Sequence, residues 1–430
     1  MINHRLDSRQ IGDDTLRRLT RQWGDCRMLI GGNEKSMQSP YLDFDLALEL
    51  TDGDWSSHVN RSPAGEGSSP FQISLTENDL NQFWEDVGRA GVDVGLSSPR
   101  AVGEQLYKAV FGQELSELWH AGLAIAYRNR QRLRLRLFGT DVPEMRDLPW
   151  EYLYDPTREE YLALSMQSPM ARYMGLRHQI RPLPVQSPLR VLVVIPGPNS
   201  MPEIQADRRW LRMIDSLDYL AVDGTMIFER LEKPTLLDLQ RRLRQGTYHA
   251  LHFIGYAGDR SRQDGELILE DEMGRSRTVS GLHLGALLRD HYSLRLVTLT
   301  TPSPWSQETA LTMRRVASSL VMRGIPASVA FPFEMPAEVE RIWLQEFLPA
   351  VASLMEIEVA VAEARNAVLG EVGSALWGAP VLYSRAPDGR IFVSETDSGP
   401  DAALQPAGKE SLLSQVLSAL AHPGQDDSTN

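Results

Sequence analysis

Between residues 189 and 331 the chain alternates short apolar runs with amphipathic stretches, and that alternation leaves few folds open. The runs are Leu189–Ile195 (LRVLVVI), Tyr248–Gly255 (YHALHFIG), Leu294–Thr300 (LRLVTLT) and Ile325–Phe331 (IPASVAF). Hydrophobicity that runs on, instead of alternating, marks strands covered on both faces. Interleaved with them, Ala206–Tyr219, Thr235–Gln245, Gly281–Asp290 and Glu308–Met322 carry helical spacing. Strand-helix alternation of this kind predicts an α/β fold, a mostly parallel sheet with helices on both faces. A hairpin, Glu266–Glu270 then Arg277–Ser280, interrupts it around Met273-Gly274. Pro336–Leu354 and Glu356–Leu369 predict further helices, and Ala379–Ser384 with Arg390–Val393 predicts a closing hairpin around Pro387-Asp388-Gly389. Residues 189–393 thus form the α/β core.

Ahead of the core, residues 41–188 read as an α+β module and linker. Tyr41–Leu50 (YLDFDLALEL) and Arg132–Leu137 (RLRLRL) alternate polar and apolar residues, which predicts strands with one face in water. The Arg132, Arg134 and Arg136 stripe reads as that solvated face, not as a grip for an acidic partner. Ser98–Tyr127 predicts one long helix, Leu148–Pro156 (LPWEYLYDP) carries buried-type aromatics, and Arg177–Pro188 is a proline-punctuated, extended connector. Residues 1–40 form an N-terminal arm with a helix over Ile11–Asp25. Residues 394–430 turn polar and rich in proline and glycine, which predicts a disordered tail. Within the tail, a short amphipathic helix over 409–421 places Leu412, Leu413, Val416, Leu417 and Leu420 on one stripe. That stripe either docks in a protein partner's groove or folds back on the body.

Composition removes several classes of function. The 42% hydrophobic content supports a sizeable core, yet no apolar run approaches the ~18–20 residues of a membrane span. The opening MINHRLDSRQIGDD lacks the apolar segment of a secretory signal, so a cytoplasmic location is expected. A net charge of −13 disfavours a general nucleic-acid binder, which needs a concentrated basic face. The sole cysteine, Cys26, precludes an internal disulfide and a cysteine-rich metal site, and it reads as a small apolar residue. His249 and His283 lack paired ligand spacing, so neither metal nor cofactor is expected.

From Tyr41 to Phe392 the chain resembles the bacterial CHAT proteins, caspase-like domains found with TPR repeats or in defence and signalling operons. The resemblance rests on an ordered set: LPWEYLYDP (148–156), LRVLVVIPGP (189–198), YHALHFIGYAG (248–258), GELILEDEMGRSRTVSG (265–281), VASSLVMRGIPASVAFPFEMP (316–336) and WGAPVLYSRAPDGRIF (377–392). It implies a caspase-hemoglobinase fold with its site at the carboxyl ends of the strands. It also implies a histidine in a motif of the type H-F-x-G-H-G and a cysteine ending one of the type L-V-x-L-N-A-C. Here the matching residues are His252-Phe253-Ile254-Gly255-Tyr256-Ala257 and Leu296-Val297-Thr298-Leu299-Thr300-Thr301-Pro302.

Tyr256 and Pro302 therefore stand at the two catalytic positions. Pro302 offers no nucleophile and no backbone N–H for an oxyanion, and losing one such donor typically costs about 2.7–4 kcal/mol of transition-state stabilisation. Tyr256, with a reference pKa near ~10, is a poor base at neutral pH. The expected function is a catalytically inactive pseudoprotease that binds protein as a scaffold or regulator. Its partners would be an active protease, a TPR protein or an ATPase encoded nearby, and the sequence leaves the oligomeric state open. The candidate crevice comprises Gly255, Tyr256, Ala257, Thr300, Thr301, Pro302, Ser303 and Trp305. Two alternatives stay open: a hydrolase using Ser303 or Thr301, and a small-ligand sensor stacking its ligand on Tyr256 and Trp305. Ser306 adds a further hydroxyl near the strand end. His252, four residues before Tyr256 on the same strand face, reads as a satisfied core histidine.

Overall fold

The computed structural model describes residues 41–89, 97–140, 142–175, 180–258, 263–304 and 306–397. The N-terminal arm with Cys26, Trp305, and the tail helix with Leu412, Leu413, Val416, Leu417 and Leu420 lie outside the described residues.

The described residues begin with a meander, β1 (Tyr41–Thr51), β2 (Asp54–Arg61) and β3 (Gly67–Pro70), followed by helices α1 (Glu77–Arg89) and α2 (Ser97–Asn129) and strands β4 (Arg132–Phe138) and β5 (Met170–Tyr173). Next come β6 (Leu189–Val194), α3 (Ala206–Val222), β7 (Met226–Arg230), α4 (Leu236–Gln245), β8 (Ala250–Ile254) and the hairpin β9 (Glu266–Glu270) and β10 (Ser276–Ser280). Helix α5 (Gly281–Leu288), β11 (Leu296–Thr300), α6 (Gln307–Arg323), β12 (Ala327–Ala330), α7 (Ala337–Ala352), α8 (Ile357–Val372) and β13 (Val381–Ser384) complete the order. One 11-stranded sheet runs β7-β6-β8-β11-β12-β13-β5-β4-β1-β2-β3. Its pairs are parallel except β12–β13, β1–β2 and β2–β3. Strands from both sides of residue 188 thus share one sheet. It is a mostly parallel α/β arrangement with helices on both faces and an α+β module ahead of it.

The period of two along each strand sorts residues between two helical layers. Val191, Val193, Ala250, Ile254 and Leu296 face α3, α7 and α8. Leu192, Val194, Leu251, Phe253, Val297 and Leu299 face α4, α5 and α6. Side-chain caps start three of these helices: Thr235, Ser280 and Ser306 accept the N–H of Asp238, His283 and Thr309 at 3.1, 3.2 and 3.1 Å.

The structure corrects the sequence reading in three places. Helix α2 is not continuous, because Gly112 breaks it with φ 52° and ψ −167°. A Cβ there would also meet the Ser69 hydroxyl of β3 at 2.6 Å, so the close approach requires glycine. The expected closing hairpin does not form. Val381–Ser384 enters the main sheet, whereas Phe392–Ser394 pairs in parallel with Leu183–Val185.

The third correction concerns the arginine stripe, which is not in water. Arg134 is fully buried and Arg136 nearly so. Arg134 donates to Asp43 at 2.9 and 2.7 Å, Arg136 forms a bidentate pair with Asp45 at 2.6 Å on both arms, and Arg132 meets Glu356 at 3.0 Å. The start of α8, with Glu358 3.4 Å from Arg134, and the Ala386–Pro387 carbonyls cover this face. Polar alternation here records paired charge under cover.

LPWEYLYDP joins the N-terminal module to the rest. Trp150, Glu151 and Tyr152 form one buried 3-10 turn. Glu151 grips Arg172 of β5 at 3.0 and 2.7 Å, and the Tyr152 hydroxyl donates to the Ala375 carbonyl at 2.7 Å. The Tyr152 ring lies 4.9 Å from that of Trp377, so two of the sequence motifs pack on each other.

Candidate functional site

The strands that carry the expected catalytic positions are direct neighbours. β8 and β11 pair in parallel with Ile254 opposite Thr300, and Gly255 N–H donates to the Thr300 carbonyl at 3.0 Å. Tyr256 and Pro302 therefore leave adjacent strand ends. A Cβ at Gly255 would sit 2.5 Å from the Phe253 ring and 3.0 Å from Pro196, so the turn out of β8 admits only glycine.

The Tyr256 side chain is buried, and its hydroxyl donates to the Pro202 carbonyl at 3.2 Å. Burial raises its pKa further, so the phenol stays protonated at neutral pH. Strand β9 clamps the same segment: Ile268 N–H donates to the Tyr256 carbonyl at 3.0 Å, and Gly258 N–H to the Glu266 carbonyl at 2.8 Å. Ala257 bridges to Leu267 in the same ladder.

The β11 end is tied down in a similar way. The buried Thr300 hydroxyl donates to the Phe253 carbonyl at 3.2 Å. Thr301, also buried, accepts Ser303 N–H on its hydroxyl oxygen at 3.2 Å, and the Ser303 carbonyl accepts Glu334 N–H at 2.7 Å. The Ser306 hydroxyl caps α6. Among the described residues, none of these hydroxyls hydrogen-bonds to a histidine or a carboxylate. Pro302 and Ser303 are half-buried between these anchored neighbours.

His252 is only partly satisfied. Its Nδ1 bonds the Thr298 hydroxyl at 2.5 Å on the adjacent strand, but Nε2 is buried with no partner among the described residues. Burial pushes its pKa down to about 4, which keeps the ring neutral at physiological pH. With Ile254 it lines a cavity of about 460 Å³ between α3 and α7. Arg209, Arg212, Met213, Glu340 and Leu344 also line it, and sequence reasoning assigned none of them to a site. The one available signal was a histidine inside an otherwise apolar, two-face-buried strand.

A second, polar crevice of about 500 Å³ opens at the carboxyl ends of β6 and β7, lined in part by Gly197, Arg208, Arg230, Glu232 and Glu270. His249 is a structural residue whose Nδ1 accepts the Arg190 N–H at 2.9 Å. Among the described residues, no group of three or more His, Cys, Asp or Glu is placed to hold a metal ion. No helix among them is long and apolar enough to cross a membrane.

The structure is similar to that of separase in the separase–securin complex of Saccharomyces cerevisiae, at 10% identity and a TM-score of 0.44. That likeness covers 81% of this chain but only 30% of the separase chain. It is also similar to gingipain R, an Arg-specific cysteine proteinase, at 9% identity and a TM-score of 0.38, covering 84% of this chain and 80% of that one. No curated protein matches the chain in sequence. The family model of the CHAT domain matches residues 100–385, across strands β4 to β13 and the helices between them. The chain belongs to the CHAT domain family.

Proposed function

We propose that this CHAT protein is a pseudoprotease, a caspase-like scaffold that binds a protein partner without cutting it. One observation carries the reading: the ends of β8 and β11 present Tyr256 and Pro302, and the only cysteine of the whole chain is Cys26. Nucleophilic cleavage needs an activatable thiol or hydroxyl with a base in reach. Tyr256 is buried, protonated and bonded to Pro202, so it takes no proton. Thr300 donates its hydroxyl to a backbone carbonyl, Ser306 donates to the Thr309 hydroxyl and accepts the Thr309 N–H, and Thr301 accepts a backbone N–H. His252 lies within the sheet with Nδ1 committed to Thr298.

Binding remains possible where cutting is not. The polar crevice at the ends of β6 and β7 lies beside Gly197, whose N–H already donates to Glu270 at 2.7 Å, and it is open enough to receive an extended segment. The partner classes that suit a family found in defence and signalling systems are an active protease, a TPR protein or an ATPase.

Purified full-length protein, incubated with a fluorophosphonate probe and a broad peptide library at neutral pH, is expected to show neither labelling nor cleavage. Specific turnover abolished by Ser303→Ala or Thr301→Ala would overturn the proposal in favour of a hydroxyl hydrolase.

A further inference from the structure

Helix α3 packs on the sheet through buried Met213, Leu217 and Leu220, yet its outer side is not polar. Asp207, Leu211, Ile214, Asp218 and Val222 recur every three or four residues and form one stripe. Leu211 is 58% exposed and Val222 77%, while Ile214 is half-buried. Beside the stripe runs β7, the terminal strand of the sheet, whose half-buried Phe228 packs on the α3 side. Of the eleven exposed large apolar side chains among the described residues, α3 alone carries three, Leu211, Tyr219 and Val222. Such a concentration beside a free sheet edge marks a docking surface.

The charges on α3 are divided between its two sides. Arg209, Arg212 and Asp215 line the cavity toward α7. On the outer side, Asp207 is held by Arg230 at 2.6 Å, and Arg208 donates to the Gln205 side chain at 3.2 Å. Asp218, and Asp223 just past the helix, have no bonded partner among the described residues. Glu346 of α7 lies near Tyr219 and adds a third acid. The Val222 end of the stripe is thus both apolar and anionic.

The chain leaves the described residues close to that end. Phe392–Ser394 pairs with Leu183–Val185, and Glu395 accepts from the Gln186 side chain, three residues before Leu189. Leu189 N–H in turn donates at 2.9 Å to the carbonyl of Thr225, three residues after Val222. Residues 398–408 reach about 36 Å when extended, which is ample for that gap. Beyond them, the leucine stripe predicted over 409–421 would be about 20 Å long as a helix, enough to cover the roughly 16 Å from Val222 to Leu211. Lys409, at the start of that stripe, is the only lysine or arginine after Arg390.

We infer that residues 409–421 dock in cis on the outer side of α3, antiparallel to it. Lys409 meets Asp218 and Asp223, and the leucine stripe runs from Val222 to Leu211 over Ile214 and Phe228. Docked there, the segment lies along the free edge of β7, and a partner that adds a strand to that edge has to displace it. This assignment is independent of the pseudoprotease reading.

The test is photo-crosslinking of the full-length protein with p-benzoylphenylalanine in place of Ala419, beside the leucine stripe, followed by mass spectrometry of the monomer band. Links should fall between residues 207 and 228. The double variant Leu211→Asp with Val222→Asp, at two exposed positions, should cut the yield at least fivefold. Tyr127→Ser, at an 86% exposed position near the end of α2, should leave it unchanged. Lys409→Glu should lower the yield at least threefold, and adding Asp218→Lys should recover at least half of that loss. The inference fails if residue 419 links elsewhere on the body, only to a second copy or a co-purifying partner, or nowhere. It fails equally if the α3 double variant links as well as the wild type, and a charge exchange that recovers nothing overturns the antiparallel placement.

Discussion

In the β6–β8–β11–β12 half of the sheet both faces are lined mainly with aliphatic residues, whereas in the β5–β4–β1 half one face carries arginines and carboxylates locked in pairs. The first half gains its stability from apolar area removed from water. The second buries ions, which is tolerable only while every partner is present. Arg172 shows this: Glu151 takes two of its donors, and the Arg146 and Leu148 carbonyls accept at 2.9 and 3.1 Å. The two halves should therefore respond differently to single and paired substitutions.

The largest effect is expected in the ionic half. Glu151→Ala strands the fully buried Arg172 and should cost about 3–5 kcal/mol in denaturant unfolding. The double variant Glu151→Leu with Arg172→Met should recover most of that loss; if it is worse than Glu151→Ala, the pair is more than a matched burial. Truncating the aliphatic half by Leu299→Ala, at a residue with no exposure, should cost about 2–4 kcal/mol through the cavity left behind, and no single partner change should rescue it.

Acid separates the halves as well. The His252 ring has a folded pKa of about 4 against an ordinary value of 6.5, because burial opposes its charge. The unfolded chain therefore takes up this proton first. The resulting stability is complete above pH 6.5 and declines by about 3 kcal/mol as pH falls to about 4. Burial alone would raise the Glu151 carboxyl, but Arg172 and its hydrogen bonds outweigh that and hold it below its ordinary 4.5. Its contribution is present above pH 4.5 and is lost only as pH falls through the lower, folded value. Melting curves of wild type and His252→Phe should thus diverge in slope between pH 6.5 and 4, and equal slopes would break the assignment. The smallest effect is expected outside both halves: Arg241→Ala removes an exposed pair with Asp238 and should change stability by at most about 0.5 kcal/mol.

The aliphatic half was legible because two-face burial leaves an unmistakable run of branched residues. LRVLVVI, LRLVTLT and IPASVAF all became strands, trimmed by a residue or two at their ends. RLRLRL and YLDFDLALEL were also read correctly as strands, yet their environment was not. Polar residues at every second position look the same whether water or a second layer of charge lies opposite, and only the tertiary partners Glu356 and Glu358, more than 200 residues away in the chain, distinguish the two. The closing hairpin failed for a related reason: a turn signal at Pro387-Asp388-Gly389 reports that the chain reverses, not that the flanking strands pair with each other. At the candidate site, the strand-end positions of Tyr256 and Pro302 followed from the motifs. The cavity did not, because its lining comes from one strand and two helices whose facing residues share no local pattern.

Strand β13 sits between β12 and β5, yet it is made after every other strand of this sheet. A ribosome that has delivered residue 370 has released all the other strands and left both halves with an unsatisfied edge where they are to meet. Those edges are apolar, parallel-sheet surfaces that invite pairing with other chains. The nascent protein thus passes through a state with two open sheet edges, and residues 381–384 act as the clasp that ends it.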